Sequence, residues 1–235
     1  MPKLSIITHF YNHPHRVQEQ VTYWESLPDD MLSQIEFVVI DDCSQQSPIW
    51  RTTNIDLRVF RITTNILWNQ SGARNLAAFN ASGNWAIFSD IDQKFYSHPL
   101  RVILDNLVRF DEATMYYLRS DNQFDANIGQ RLRCHPNTYL VNLSRFKVHG
   151  MFDEDFAGHY GYEDLYMPRV WESRGGKRVI LDDANYFQDL GFNTVNLNRD
   201  LDRNKLLGEQ KIMAGAKNSP GMLRFEWEEV EIGKT

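Results

Sequence analysis

The stretch Trp85-Ala86-Ile87-Phe88-Ser89-Asp90-Ile91-Asp92 decides the fold. Its first four residues are an unbroken apolar run, which predicts a buried strand, and the run stops on carboxylates. In an open α/β sheet ligands bind beyond the carboxyl ends of the strands, so Asp90 and Asp92 stand where chemistry is expected. Residues two apart in an extended segment point the same way, so both carboxylates are expected to face one cation or one ligand. Hard oxygen donors suit magnesium or manganese, which take one or two carboxylates and complete their shells with substrate phosphates and water. Aspartates also favour the turns that follow strands, so the tripeptide carries little weight until its surroundings are read.

Outward from this run, strands alternate with helices. Leu4-Ser5-Ile6-Ile7 is a short strand, and Arg16 to Leu27 carries Val17, Val21, Trp24 and Leu27 at helical spacing. Phe37-Val38-Val39-Ile40 is a second buried strand ending at Asp41-Asp42, and Leu57 to Ile62 a third. Ser71-Gly72-Ala73-Arg74-Asn75 opens a helix running to about Ala81, with Leu76, Ala77 and Phe79 as buried candidates and Gly83 closing it. Further on, Pro99 to Phe110, Tyr162 to Arg174 and Leu197 to Ala216 read as helical. Met115 to Leu118, Tyr139 to Val141 and Arg178 to Leu181 read as extended, and Leu223, Phe225 and Trp227 as a terminal strand or arm after a Pro220-Gly221 turn. The expected architecture is a single α/β domain, Rossmann-like, with a mostly parallel central sheet flanked by helices.

At 235 residues, 42% hydrophobic and 24% charged, the chain has the length and composition of one globular domain with a sizeable core. A net charge of −6 argues against a nucleic-acid polymer or an anionic membrane as main partner, since both reward clustered Lys and Arg. A phosphate-bearing ligand then needs local help from a metal ion or a few placed basic groups. Cys43 and Cys134 stand far apart in no metal-ligand spacing, which argues against a disulfide framework and a zinc cluster and fits a cytoplasmic location. His13 and His15 flank Pro14 in no zinc spacing and are expected to be solvated. No run of about 18 apolar residues occurs, so no integral membrane segment is expected, nor does the start of the chain read as an export signal.

Taken in order, Ser5-Ile6-Ile7-Thr8-His9-Phe10-Tyr11-Asn12, Val39-Ile40-Asp41-Asp42-Cys43-Ser44, Gly72-Ala73-Arg74-Asn75 and Phe88-Ser89-Asp90-Ile91-Asp92 resemble the motif series of family-2 glycosyltransferases with the GT-A fold. Gly150-Met151-Phe152-Asp153-Glu154 followed by Gly161-Tyr162-Glu163-Asp164 looks like the acceptor-side region of the same enzymes and of galactosyltransferase-like domains. The resemblance covers about Leu4 to Leu181. It implies a single GT-A domain, with residues 1–95 as nucleotide-sugar-binding half, 96–190 as acceptor-side half and 191–235 as a helical and extended arm. It also implies transfer of a sugar from a nucleoside diphosphate sugar, by default a UDP-sugar, to a saccharide or glycan hydroxyl, as in polysaccharide biosynthesis.

By that resemblance His9, Tyr11, Asp42, Arg74 and Asp90 bind the nucleotide sugar. Tyr11 and Asp42 line the base and ribose, and Arg74 lies near the diphosphate or braces the loop beneath it. Asp92, with Asp90, forms the metal-binding D-x-D pair for Mn2+ or Mg2+, Asp92 chiefly on the metal and Asp90 on the ribose or sugar side. Asp164 is the general base of an inverting displacement, and Glu163, Tyr160 and Tyr162 hold the acceptor. Acidic residues also favour the first turn of a helix, so Glu163 and Asp164 draw their weight from the resemblance. Asp41 reads as the cap of a turn, and Trp68 as a packed aromatic that could stack on a sugar or base.

Three departures stand out. His9 occupies a position where Pro or Thr is usual, Gln93 replaces a further acidic residue after the pair, and no histidine follows His159, which leaves Gln188 or Asp189 as substitutes in the metal shell. A sugar-phosphate nucleotidyltransferase would carry a glycine-rich basic loop after the first strand, and Thr8 to Pro14 has neither Gly nor Lys. An aspartate phosphatase would place its paired acids near the first strand and follow them with Thr or Val. The alternative from another class is a non-catalytic nucleotide-sugar- or glycan-binding module derived from a transferase.

Overall fold

The computed structural model describes residues 2–52, 54–121, 124–125, 130–131, 134–191 and 198–234. Through the first half run β1 (Leu4–Phe10), α1 (Pro14–Glu25), α2 (Asp29–Leu32), β2 (Ile35–Asp42), β3 (Asp56–Ile62), α3 (Gln70–Asn80), β4 (Trp85–Phe88) and β5 (Gln93–Phe95). The second half adds α4 (Ser97–Asn106), β6 (Thr114–Leu118), β7 (Tyr139–Asn142), α5 (Leu143–Val148), α6 (Glu163–Ser173), β8 (Lys177–Leu181), β9 (Phe187–Asp189), α7 (Asp202–Met213) and β10 (Trp227–Val230). An eight-stranded sheet has the order β8-β6-β7-β4-β1-β2-β3-β10. Its β3-β2-β1-β4 portion is parallel, as the strand–helix alternation predicts, and β6 and β8 are also parallel. β7 runs antiparallel between β4 and β6, and β10 antiparallel along β3.

The central strands read as continuous apolar runs because both faces of the sheet are covered. Ile6, Phe37, Val39, Trp85 and Ile87 join one core with Val17, Val21 and Trp24 of α1. Their neighbours Ile7, Val38, Ile40, Ala86 and Phe88 join the other with Ala73, Leu76 and Ala77 of α3. Each buried Val, Leu, Ile or Phe among them contributes about 1.5–3 kcal/mol by leaving water.

Two local expectations need correction. Phe79 is 56% exposed, because Ala73, Leu76 and Ala77 form the face of α3 that packs on the sheet and the helical period turns Phe79 away from it. Gly83 does not close α3, which ends at Asn80 with Ala81 in extended backbone. Gly83 is needed for close approach: a Cβ there would lie 2.5 Å from Ser5 Oγ and 2.8 Å from Ser5 N. Its N–H donates to the buried Glu36 carboxylate at 2.9 Å. In the expected helix from Leu197 to Ala216, α7 covers Asp202–Met213, and residues 192–197 lie outside the described residues. Leu223 and Phe225 pack on the α3-side core, and only then does β10 begin.

Candidate functional site

Parallel pairing brings the carboxyl ends of β1, β2 and β4 to one rim: Phe10 is in register with Asp41, and Ile7 with Phe88. Asn12, at φ +56°, ties the first two loops together. Its N–H donates to Ser44 Oγ at 2.8 Å, and its Oδ1 accepts the Gln45 N–H at 2.8 Å. Tyr11 stands 39% exposed on this rim. Asp41 is wholly buried and fully partnered, accepting the Ser44 N–H at 2.8 Å and pairing with Arg61 at 3.0 Å. Among the described residues its neighbour Asp42 accepts only an amide hydrogen of Asn69, at 3.2 Å. Burial, opposed by that bond and reinforced by Asp41, pushes the Asp42 carboxyl up to about 7.

The Asp90–Gln93 segment is a turn, not the extended stretch that the spacing suggested. Gln93 N–H donates to the Asp90 carbonyl at 3.2 Å. The Gln93 side chain explains the geometry: its Oε1 accepts the Asp90 N–H at 3.1 Å and the Thr138 hydroxyl at 2.5 Å. Gln20 of α1 completes the clamp by donating to the carbonyls of Ile91 at 3.0 Å and Gln93 at 2.6 Å. Gln93, noted in the sequence as a missing acid, is thus the residue that shapes the acidic turn.

Asp90 faces a buried basic group. Arg74 of α3, only 2% exposed, donates through Nη2 to Asp90 Oδ1 at 2.8 Å and through Nη1 to Asn137 Oδ1 at 3.2 Å. Asn137 Nδ2 lies 3.3 Å from Asp90 Oδ2, and His135 Nδ1 lies 3.8 Å from the same oxygen. Burial works to raise the Asp90 carboxyl, but Arg74, then His135 and His9, hold it below the ordinary range. Burial and Arg74 lower His9 to about 4, so its imidazole is neutral at pH 7. His135, Asn137 and Thr138 were not singled out in the sequence. A signal was there: because β7 is antiparallel to β4, with Tyr139 opposite Phe88, the loop entering β7 arrives at the rim where β4 leaves.

Asp92 is placed differently. Its backbone carbonyl accepts the Leu190 N–H at 2.8 Å, and β5 pairs with β9 so that Gln93 is opposite Asp189. Burial, then Asp90 and Asp189, push the Asp92 carboxyl up to about 7, with Arg16 opposing. Two carboxylates with too little positive charge between them match the donor set of a hard divalent cation. No group of three or more His, Cys, Asp or Glu suited to a metal occurs among the described residues. Asp189 is close enough to act on the Asp92 carboxyl electrostatically, while Asp90 is paired to Arg74.

On the other side of the rim, Glu163 and Asp164 open α6. Glu163 is buried, and burial, then Asp164, push it up to about 7 against the pull of Arg74. Asp164 is half-buried and also raised by burial. Both lie within electrostatic reach of Arg74. Tyr162 precedes them at φ +76°, its ring stacked on Phe156 at 6.3 Å and filling the space beside Gly208 of α7. Tyr160 meets Trp68 edge to face at 4.8 Å.

The Asp153-Glu154-Asp155 run has structural partners throughout. Lys211 of α7 donates to Asp153 at 2.7 Å and to Asp155 at 2.8 Å. Glu154 accepts from Asn75 at 2.8 Å and from the backbone N–H groups of Leu223 at 2.9 Å and Arg224 at 3.1 Å. Arg224 pairs with Asp155 at 2.5 Å and holds it well below the ordinary carboxylate range together with Lys211 and Ser219. These acids hold the C-terminal arm, and Glu154 joins it to Asn75 of α3.

With this geometry in hand, comparison with known proteins is specific. The model of Glycosyl transferase family 2 matches residues 5–161. An uncharacterized glycosyltransferase of Haemophilus influenzae is 30% identical over 102 residues, which are 43% of this chain and 33% of that protein, so the match spans a third of the relative's length. Among solved structures, S. aureus TarS 1-349 in complex with UDP-GlcNAc aligns with TM-score 0.67 and 16% identity, over 91% of this chain and 67% of that one. The mannosyltransferase PcManGT of Pyrobaculum calidifontis, in complex with GDP-Man and Mn2+, aligns with TM-score 0.60 and 14% identity, over 92% and 63% of the two chains. At such identities the structural matches establish the GT-A fold. No described helix is long and apolar enough to cross a membrane.

Proposed function

The chain belongs to glycosyl transferase family 2, and from that membership we propose that it is a metal-dependent, inverting glycosyltransferase. It moves a sugar from a nucleoside diphosphate sugar, a UDP-sugar, to a hydroxyl of a saccharide or glycan. The observation that carries this reading is the ion pair of the buried Arg74 guanidinium with Asp90, with Glu163 and Asp164 in its electrostatic reach, on the rim that also bears Asp42 and Asp92. Support for a nucleotide-sugar donor comes from the UDP-GlcNAc and GDP-Man complexes of TarS and PcManGT.

In this reading Tyr11, His9 and Asp42 bind the base and ribose, and the raised Asp42 carboxyl suits a group that shares a hydrogen bond with a ribose hydroxyl. Asp90, oriented by Arg74 and Asn137, faces the ribose or donor sugar. Asp92, with Asp189, would hold Mn2+ or Mg2+, which when bound would supply Lewis-acid stabilisation of the leaving diphosphate. Asp164, more open than Glu163, accepts the proton of the acceptor hydroxyl, and its raised pKa brings it toward the operating pH of a general base. Glu163, Tyr160 and Tyr162 shape the acceptor side.

Calorimetric titration of manganese with UDP tests the donor half. Asp92→Ala should weaken the manganese–UDP complex about tenfold or more, the usual cost of losing one charged ligand from a coordination shell. Equal affinity in the variant would remove Asp92 from the metal. Release of UDP from UDP-sugars in the presence of saccharide acceptors tests turnover, and tight binding without release would identify a binding module instead.

A further inference from the structure

Trp68 is the one aromatic flagged in the sequence that the proposed chemistry leaves without a task, and its backbone is unusual. It sits at φ +50°, a left-handed conformation that a bulky side chain rarely adopts and that tends to persist where function requires it. The residue after it, Asn69, holds Asp42. The residue before it, Leu67, accepts the Gly158 N–H at 2.7 Å, so the loop leaving β3 is tied to the loop leading into α6. Across this junction the Trp68 and Tyr160 rings meet at 4.8 Å with their planes 65° apart, and the Arg199 guanidinium lies 5.6 Å over the Tyr160 ring. Tyr160 thereby meets both a ring and a cation, and Trp68 and Tyr160 are each half-exposed.

An indole that keeps part of its surface in water, on a loop locked by hydrogen bonds and a strained backbone, is suited to bind a ligand with an apolar face and a polar edge. A pyranose ring has that character. We infer that Trp68 is the stacking surface for a pyranose ring of the acceptor, with Tyr160 and Arg199 as its support. Tyr160 lies three residues before Glu163 and four before Asp164, so the support of the platform is on the loop that enters α6. The acceptor is thus gripped by a residue from the nucleotide-binding half of the chain. This inference rests on the transferase reading for the word acceptor, but contact with a saccharide can be measured without turnover.

Saturation-transfer NMR on the full chain with manganese and UDP present, probed with methyl β-glucopyranoside, methyl β-galactopyranoside and N-acetylglucosamine, tests it. At least one sugar should receive saturation on its ring C–H protons. That transfer should vanish in Trp68→Ala and return in Trp68→Phe, while the affinity for manganese–UDP stays within about twofold of the parent. In transfer assays Trp68→Ala should raise the acceptor KM about tenfold and leave the donor KM unchanged. No saturation of any of the three sugars by the parent, equal saturation in Trp68→Ala, or a raised donor KM would each overturn the assignment. Saccharide contact without release of UDP would retain the platform and remove the transferase reading instead.

Discussion

Two acidic regions of the molecule, residues 153–155 and the rim at Asp42, Asp92, Glu163 and Asp164, have similar composition and opposite electrostatics. At the first, every carboxylate has charged or backbone donors within hydrogen-bond distance, and Asp155 is held low by Lys211, Ser219 and Arg224. At the second, Asp42, Asp92 and Glu163 are pushed up to about 7, because burial and like charge exceed the compensation available. The same contrast recurs between neighbours: Asp41 has Arg61 and the Ser44 N–H, whereas Asp42 has one amide. A fold pairs the acids that hold it together. Acids left short of compensation in a cleft mark the place where a cation or a hydrogen-bonding ligand completes the site.

The contrast can be broken at either side. Lys211→Met leaves Asp153 buried without its cation and should cost about 3 kcal/mol in denaturant unfolding, with transfer per folded molecule little changed. If stability is unaffected, the clasp does not support the arm. Asp164→Asn should reverse the pattern, leaving stability near that of the parent and reducing transfer by about 10²-fold, or about 2.7 kcal/mol in the barrier, while UDP-sugar binding is retained. Transfer at the parental rate would exclude Asp164 as the base.

A smaller effect is expected in the pH dependence of stability, and the two regions should differ in sign. At the rim Asp42 and Asp92 move from 3.8 to about 7 and Glu163 from 4.5 to about 7, so the folded state retains protons that the unfolded chain releases. Their contribution is full below about pH 4 and declines as pH rises to about 7. Asp155 is shifted down, so its contribution is present above about pH 4 and lost as the pH falls below it. Thermal unfolding followed from about pH 5 to about pH 8 should show a shallower decline for Asp92→Asn than for the parent, the two differing by about 1 kcal/mol at the alkaline end. Parallel curves would mean that Asp92 is not under electrostatic stress.

Much of the rim was legible because parallel strands with apolar interiors announce their own ends. Asp42, Asp90 and Asp92 each follow such a run, and the parallel register that aligns them follows from the strand–helix alternation. The distinction between Asp41 as cap and Asp42 as rim residue was also available, since a turn followed. What escaped were the residues brought in by the antiparallel crossing of β7. His135, Asn137 and Thr138 reach Asp90 only because β7 runs against β4, and periodicity does not reveal strand direction. Gln93 looked like a missing acid because the resembled family often has an acid after the pair, although its partners are Thr138 and the Asp90 backbone.

The sequence alone therefore determined the α/β plan, the order of its motifs and the candidate carboxylates, since burial periodicity and strand ends are local properties of the chain. Tertiary structure decided which carboxylates are paired and which are under stress. The partners involved, Lys211 for Asp153, Arg74 for Asp90 and Asp189 for Asp92, are separated along the chain and meet only after folding. The charge of a carboxylate is written in the sequence, but its compensation depends on distances through a buried interior.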